Sequence, residues 1–350
     1  MLSARVFVKV VIMEISDRKR TILTALITIH TNSGDPVGSS ILADFLASLS
    51  VSSATLRNEM AELTTLGLLE QPYTSAGRIP TQLGIRYYID NLMNLWAMEP
   101  EEKEYIRRTV TSMDNDPEKA TETAASILAR MFSLSSLAMT PRGSNPHLVH
   151  LKILKIGKYN YALIGVTNAG SIHSRVCRFE KDISDVGLGL IEATLNRYLV
   201  FISPEDVNND LTEKINSELA PAGYSIDPLI LSALSLVENL SAYRLYTEGE
   251  HNLLSYRDMY SQILSYLEYI NDTKRVASLL VRSDNPVSIY IGEEIDNSLS
   301  NMGIVTGRFR AGSLNGQLAV AGPARMNYAY IVPRLRYFCE ALSNAFSEKT

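Results

Sequence analysis

The sequence predicts an α+β multidomain protein that opens with an N-terminal winged helix-turn-helix. Three observations lead to this. Residues 51–81 read as a helix, a short strand and a basic loop, in that order. Two further amphipathic helices precede them, and only a short turn separates the nearer one. From residue 148 the apolar period turns from helical to alternating, and alternation returns after residue 287, so strands flank a helical stretch. A chain of 350 residues with 46% hydrophobic residues has material for two or three domains.

Taken in order, Val6 to Met13 is apolar but broken by Lys9, and no small-residue cleavage site follows, so it does not read as a signal peptide. Two accounts of residues 1–15 stay open: a start assigned too far upstream, with Met13 just before the first helix, or a short ordered arm. Ser16 caps a first helix with Ile22, Leu23, Leu26, Ile27 and Ile29, which stops near Gly34. Ser39 and Ser40 open a second, with Ile41, Leu42, Phe45, Leu46 and Leu49 assigned to its inner face. Residues 50–52 form the turn. Ser52 or Ser53 caps the third helix, in which Leu56, Met60 and Leu63 make the buried stripe. Ala54, Arg57, Asn58 and Ala61 point away from that stripe. Gly67 stops the helix, Leu68 to Gln71 is strand-like, and Pro72 ends the strand. The loop from Tyr73 to Ile79 holds Gly77 and one strong cation, Arg78.

Thr81 to Trp96 reads as a helix with Ile85, Ile89, Leu92 and Trp96 inward, and Tyr87 and Tyr88 against the domain body or a partner. An acidic linker at 98–104 and helices at 101–110 and 117–132 follow. LVHLKILKI, YALIGVT and IHSRVCRF form a three-stranded meander between residues 148 and 179. Helices at 185–199, 204–220, 227–241, 255–270 and 273–282 come next, then strands at 287–292, 304–311 and 317–322, and a closing helix at 327–346. Strands on both sides of a helical block imply one sheet interrupted by an insertion.

The net charge is −5, which excludes a general nucleic-acid binder that works by bulk charge. Residues 16–95 carry six cations (Arg18, Lys19, Arg20, Arg57, Arg78, Arg86) against seven acids (Asp17, Asp35, Asp44, Glu59, Glu62, Glu70, Asp90). DNA affinity must therefore come from where the cations stand. The candidate DNA-binding residues are Ser52, Ser53, Thr55, Arg57 and Asn58 on the third helix, and Tyr73, Thr74, Ser75 and Arg78 in the wing. Arg57 suits guanine and Asn58 adenine. Arg18, Lys19, Ser39 and Ser40 are candidates for phosphate. The same three-helix pattern also occurs in domains that never touch DNA, so periodicity alone does not decide.

No catalytic constellation is visible. His30, His147, His150, His173 and His251 lack zinc-ligand spacing, and no cofactor motif is present. GDPVG at 34–38 lacks the lysine end of a phosphate loop and reads as a turn. Glu293 and Glu294, adjacent on an extended chain, point to opposite faces and read as solvated or ligand-facing rather than as an acid–base pair. Cys177 and Cys339 read as core residues, and two cysteines suit a reduced, cytoplasmic compartment.

GDPVGSSILA (Gly34–Ala43), VSSATLRNEMAELTTLGLLEQPYTSAGRIPT (Val51–Thr81) and GIRYYID (Gly84–Asp90) resemble the heat-inducible transcription repressor family (HrcA). NLL (Asn252–Leu254), SIYIGEE (Ser288–Glu294) and AVAGPARMNYAYIV (Ala319–Val332) carry the resemblance toward the C-terminus. The resemblance implies a winged-helix domain at 16–97, a GAF-like α/β domain in two parts at 98–180 and 248–350, and an inserted helical dimerisation domain at 181–247. It further implies a homodimer that binds the CIRCE inverted repeat upstream of chaperone operons, with activity modulated by the GroE chaperonin. Leu188, Ile191, Leu195, Leu231, Leu234 and Leu236 supply either the dimer interface or the insert's own core. The alternative function is a small-molecule-sensing regulator that uses the GAF-like domain as a ligand pocket.

Overall fold

The Ser16 hydroxyl accepts the backbone N–H of Lys19 and opens α1 (Asp17–Ser33), and Gly34, left-handed at φ 74°, closes it. These features belong to a computed structural model that describes residues 13–47, 51–74, 76–142, 147–168, 170–179, 182–220, 227–240, 244–312 and 314–347. The N-terminal extension before Met13, Leu49 and Ser75 lie outside the described residues. After α1 come α2 (Ser39–Phe45), α3 (Ser53–Thr65), the two-residue strands β1 (Leu69–Glu70) and β2 (Ile79–Pro80), and α4 (Gln82–Asn91). Strands β1 and β2 pair antiparallel and carry the wing between them. Ile22, Leu23, Leu26, Leu42, Leu56, Leu63 and Leu68 make the core, and Tyr87 is buried in it.

Two inward assignments need correction. Ile41 and Phe45 are exposed, and only Leu42 and Leu46 reach the core. With barely two turns, α2 buries a single i, i+4 row, and Ile41 and Phe45 stand on the neighbouring row. Helix α4 ends at Asn91, so Trp96 lies beyond it and is exposed, its ring edge-on to Tyr330.

The rest of the chain begins with α5 (Pro100–Thr111) and α6 (Pro117–Phe132), then β3 (Ser135–Arg142), which the sequence pattern did not reveal. The meander follows as β4 (Leu148–Lys155), β5 (Asn160–Thr167) and β6 (Ile172–Arg178), then α7 (Asp185–Leu199), α8 (Asn209–Leu219) and α9 (Asp227–Asn239). Next are β7 (Leu245–Glu248), α10 (Tyr260–Asn271), α11 (Thr273–Leu280), β8 (Val287–Ile291), β9 (Met302–Ala311), β10 (Leu314–Pro323) and α12 (Tyr328–Ser347). A five-stranded antiparallel sheet runs β7-β3-β10-β9-β8, while β4-β5-β6 form a separate sheet.

The meander therefore does not share a sheet with the closing strands. The strand that precedes the interruption is β3, and the interruption runs from β4 to α9. A boundary at 181 cuts through one core, because Leu148, Leu151, Tyr161 and Leu163 pack with Ile191, Leu195, Leu229 and Val237. Strand β3 escaped notice because it is buried on both faces. Ser135, Ser136, Leu137, Ala138 and Met139 are all essentially inaccessible, so no apolar–polar alternation marks it. Of the residues weighed for the interface, Ile191, Leu195, Leu234 and Leu236 fill the insert's own core and Leu188 packs against it; only Leu231 is exposed.

Candidate nucleic-acid interface

Helix α3 starts at a corner built from hydroxyls. The Ser52 Oγ accepts the Thr55 N–H at 3.1 Å and lies 2.9 Å from the Thr55 hydroxyl. Ser53 Oγ donates to Ser39 Oγ at 3.0 Å, which ties α3 to the start of α2. The predicted Ser39, Ser52, Ser53 and Thr55 thus form the helix-turn-helix joint. Beyond it, Ala54, Arg57, Asn58 and Ala61 are exposed, as the helical pattern predicts. Arg57 and Asn58 make no side-chain hydrogen bond or ion pair among the described residues. Two small residues beside two free polar ones leave a face that another surface can approach closely.

The wing is braced from within. The Gln71 side-chain amide donates to the carbonyls of Thr74 at 2.9 Å and Ala76 at 3.0 Å. Val37 and Arg78 exchange both backbone hydrogen bonds at 2.9 Å, so the wing root is stitched to the loop between α1 and α2. Gly77 is required there, because a Cβ would run into the Val37 carbonyl. Tyr73 is exposed at the tip. Ser39, Ser40, Arg57, Gln71, Thr74 and Arg78 line one groove between helix and wing. Gln71 was missed because a brace of this kind leaves no periodic signal.

Arg78 is half-buried and its Nε donates to the Thr64 hydroxyl at 3.1 Å, so it joins the wing to the end of α3. Read as a surface contact alone, Arg78→Ala leaves the melting temperature nearly unchanged. The observed bond adds a structural part. Arg78→Ala is expected to cost about 1 kcal/mol, a fall in melting temperature of roughly 4–8 °C for a domain of this size, together with weaker DNA binding. Thermal melts and binding titrations on one preparation check both.

Arg18 and Lys19 face acids of α3. Arg18 lies 3.6 Å from Glu59, and Lys19 lies 3.1 Å from Glu59 and 2.8 Å from Glu62. Glu62 and Glu59 hold the Lys19 ammonium above the usual lysine range. These pairs clip α1 to the flank of α3, and neither cation lines the groove.

Glu293 and Glu294 do part to opposite sides, within a short 3-10 turn (Gly292–Glu294) rather than on a strand. Glu293 is exposed, but Glu294 turns to the Arg86 guanidinium of α4 and is neither solvated nor facing a ligand. His30 is also buried near this side of the winged helix, with its Nδ1 3.0 Å from the Asp35 carbonyl oxygen. Burial, and then the nearby Arg325, push its pKa below the ordinary 6.5. The folded state therefore disfavours the proton. The His30 contribution to stability is complete above about pH 6.5 and is lost as pH falls through the lower native value. The melting temperature is expected to drop between pH 7 and 5, and less steeply in His30→Gln; an identical slope in the variant refutes the assignment. Among the described residues no group of three or more His, Cys, Asp or Glu is placed to hold a metal. Among them, too, no helix is long and apolar enough to cross a membrane.

A helix-turn-helix with a braced wing, and a free Arg–Asn face beside it, defines a winged-helix DNA-binding protein. Residues 14–88 match the family model "Winged helix-turn-helix transcription repressor, HrcA DNA-binding", and residues 118–332 match "HrcA protein C terminal domain". The chain belongs to the HrcA family of heat-inducible transcription repressors, DNA-binding regulators and not enzymes. The heat-inducible transcription repressor HrcA of Moorella thermoacetica is 32% identical over 96% of this chain and 99% of that protein. The HrcA of Carboxydothermus hydrogenoformans is 30% identical over 96% of this chain and 99% of its own length. A solved structure described only as a hypothetical protein shares the fold, with a TM-score of 0.65 at 23% identity, over 96% of this chain and all of its own.

Proposed function

We propose that this chain represses chaperone operons as a homodimer, each winged helix reading one half of the CIRCE inverted repeat. The observation that carries the reading is the unpaired Arg57 and Asn58 on the exposed face of α3, flanked by the wing. Arg pairs with guanine edges and Asn with adenine edges in the major groove, each worth about 1–3 kcal/mol of discrimination. Ser39, Ser40, Thr74 and Arg78 around the adjoining groove suit the phosphate backbone, which positions the helix. The GAF-like assignment of the five-stranded sheet, the cytoplasmic location and modulation by the GroE chaperonin follow from the family resemblance.

The dimer is supported by the β4–β6 sheet. Its inner side shares one core with helices α7 to α9, and its outer face, which also carries Lys152, Ser174 and Arg178, leaves apolar side chains exposed. Leu154, Ala162 and Val176 form one row across it, and Val166 and Ile172 a second pair. Ile172 is 62% and Val176 66% exposed. The inserted segment, from β4 to α9, is the dimerising unit in this reading.

Mobility shifts with the inverted repeat and with random DNA test the function. Arg57→Ala and Asn58→Ala are each expected to weaken operator binding roughly 5- to 150-fold more than random binding. Equal losses on both DNAs would make the two residues phosphate contacts and remove the base-reading role.

A further inference from the structure

Four of the sequence motifs that carry the family resemblance meet between the winged helix and the C-terminal body. Arg86, buried in α4, presents its guanidinium fork to Glu294: Nε donates to Oε1 at 3.0 Å and Nη2 to Oε2. Nη2 also donates to the Ile289 carbonyl at 3.0 Å, and Glu294 Oε2 accepts the Ile291 N–H at 3.0 Å. One turn earlier, the Gln82 amide donates to the Ile291 carbonyl at 2.7 Å. A second clamp holds the end of α1. Arg325 forks onto Asp258 at 2.8 and 2.9 Å, and its Nη1 donates to the Thr31 carbonyl at 2.9 Å. Gly34 closes over it, where a Cβ would stand 2.8 Å from Nη2.

Domains joined by a linker move relative to one another unless something holds them. A planar, bidentate arginine fixes an angle as well as a distance. Here the Arg86 fork grips α4 across the junction, while Arg325, oriented by Asp258 within the body, holds the end of α1 through its bond to the Thr31 carbonyl, so rotation about either point is opposed by the other. Buried ion pairs add little net stability over apolar substitutes, and geometric specificity is their better-attested use.

We propose that Arg86 and Arg325 are positioning residues: with Glu294 and Asp258 they lock the winged helix on the body and so set the half-site spacing that the dimer accepts. This rests on the dimer reading above. A two-fold protein with rigidly mounted heads fits one centre-to-centre distance, whereas loosely mounted heads tolerate several. The experiment uses the full chain and three kinds of duplex: the inverted repeat, the same repeat with its spacer changed by about two base pairs either way, and a single half-site. The variants are R86Q with E294Q, R325Q with D258N, and R86K alone, which keeps the charge without the fork. The parent is expected to prefer the native spacer by about tenfold or more. Each variant is expected to lose most of that preference while half-site affinity stays within about twofold, which also shows that the winged helix is folded. A retained spacer preference in the variants overturns the proposal, as does an equal loss on half-site and full operator. If the parent binds the inverted repeat no better than a half-site, the dimer reading falls, and the proposal with it.

Discussion

A fragment of residues 13–97 is expected to fold as a monomer and to bind the operator at least about 100-fold more weakly than the full chain. The fragment keeps the winged-helix core of Leu23, Leu26, Leu42, Leu56, Leu63 and Leu68 intact. It loses Glu294, the partner of Arg86, and Arg325, the donor to the Thr31 carbonyl, but both groups are rehydrated in the fragment, so no charge is left buried and unpaired. It also exposes Ile85, which packs into the larger C-terminal core, at a cost of a few kcal/mol at most. The binding loss has another origin. With six cations against eight acids in the fragment, one head makes few favourable phosphate contacts, and tethering two heads raises affinity by effective concentration, about 10²- to 10⁴-fold. Sedimentation and operator titration of fragment and full chain check this together. A fragment that dimerises and binds as tightly as the full chain would take the dimerising role away from the insert.

Gly84→Ala is expected to destabilise the winged helix strongly. Gly84 sits in the first turn of α4, and a Cβ there would collide with the carbonyl oxygen of Leu68. The Thr81 hydroxyl caps α4 by accepting the Gly84 N–H at 3.0 Å and donates to the Gly67 carbonyl at 2.6 Å, so α4 cannot slide away without losing both bonds. The obstacle is backbone rather than a flexible side chain, and overpacking of this kind costs about 3 kcal/mol. For a domain of about 80 residues that is a fall in melting temperature of roughly 12–24 °C, seen as an early transition separate from the C-terminal body. A single unshifted melt would show that α4 can adjust and that Gly84 is not constrained.

The winged helix was readable from residue order because its signals are local. Ser16 and Ser52 cap helices, Gly34 closes one with a left-handed turn, and Leu56, Met60 and Leu63 repeat at helical spacing. Each of these acts within a few residues, where chain geometry alone dictates the outcome. The exposed Arg57 and Asn58 followed from the same periodicity, as did the meander from its alternation. Residue order could not show which strands share a sheet. Strand β3 is buried on both faces and gives no alternation, and its partner β10 lies far along the chain. Nor could it show which charges are free. Arg18, Lys19 and Arg57 are equivalent cations as letters. In the fold Lys19 pairs closely with Glu59 and Glu62 and Arg18 stands near Glu59, while Arg57 is left open beside the wing. Glu294 and Arg86 stand about two hundred positions apart, and only packing of the body against α4 makes them partners. Long-range pairing depends on how whole elements bury their apolar faces, and that is a property of the assembled chain.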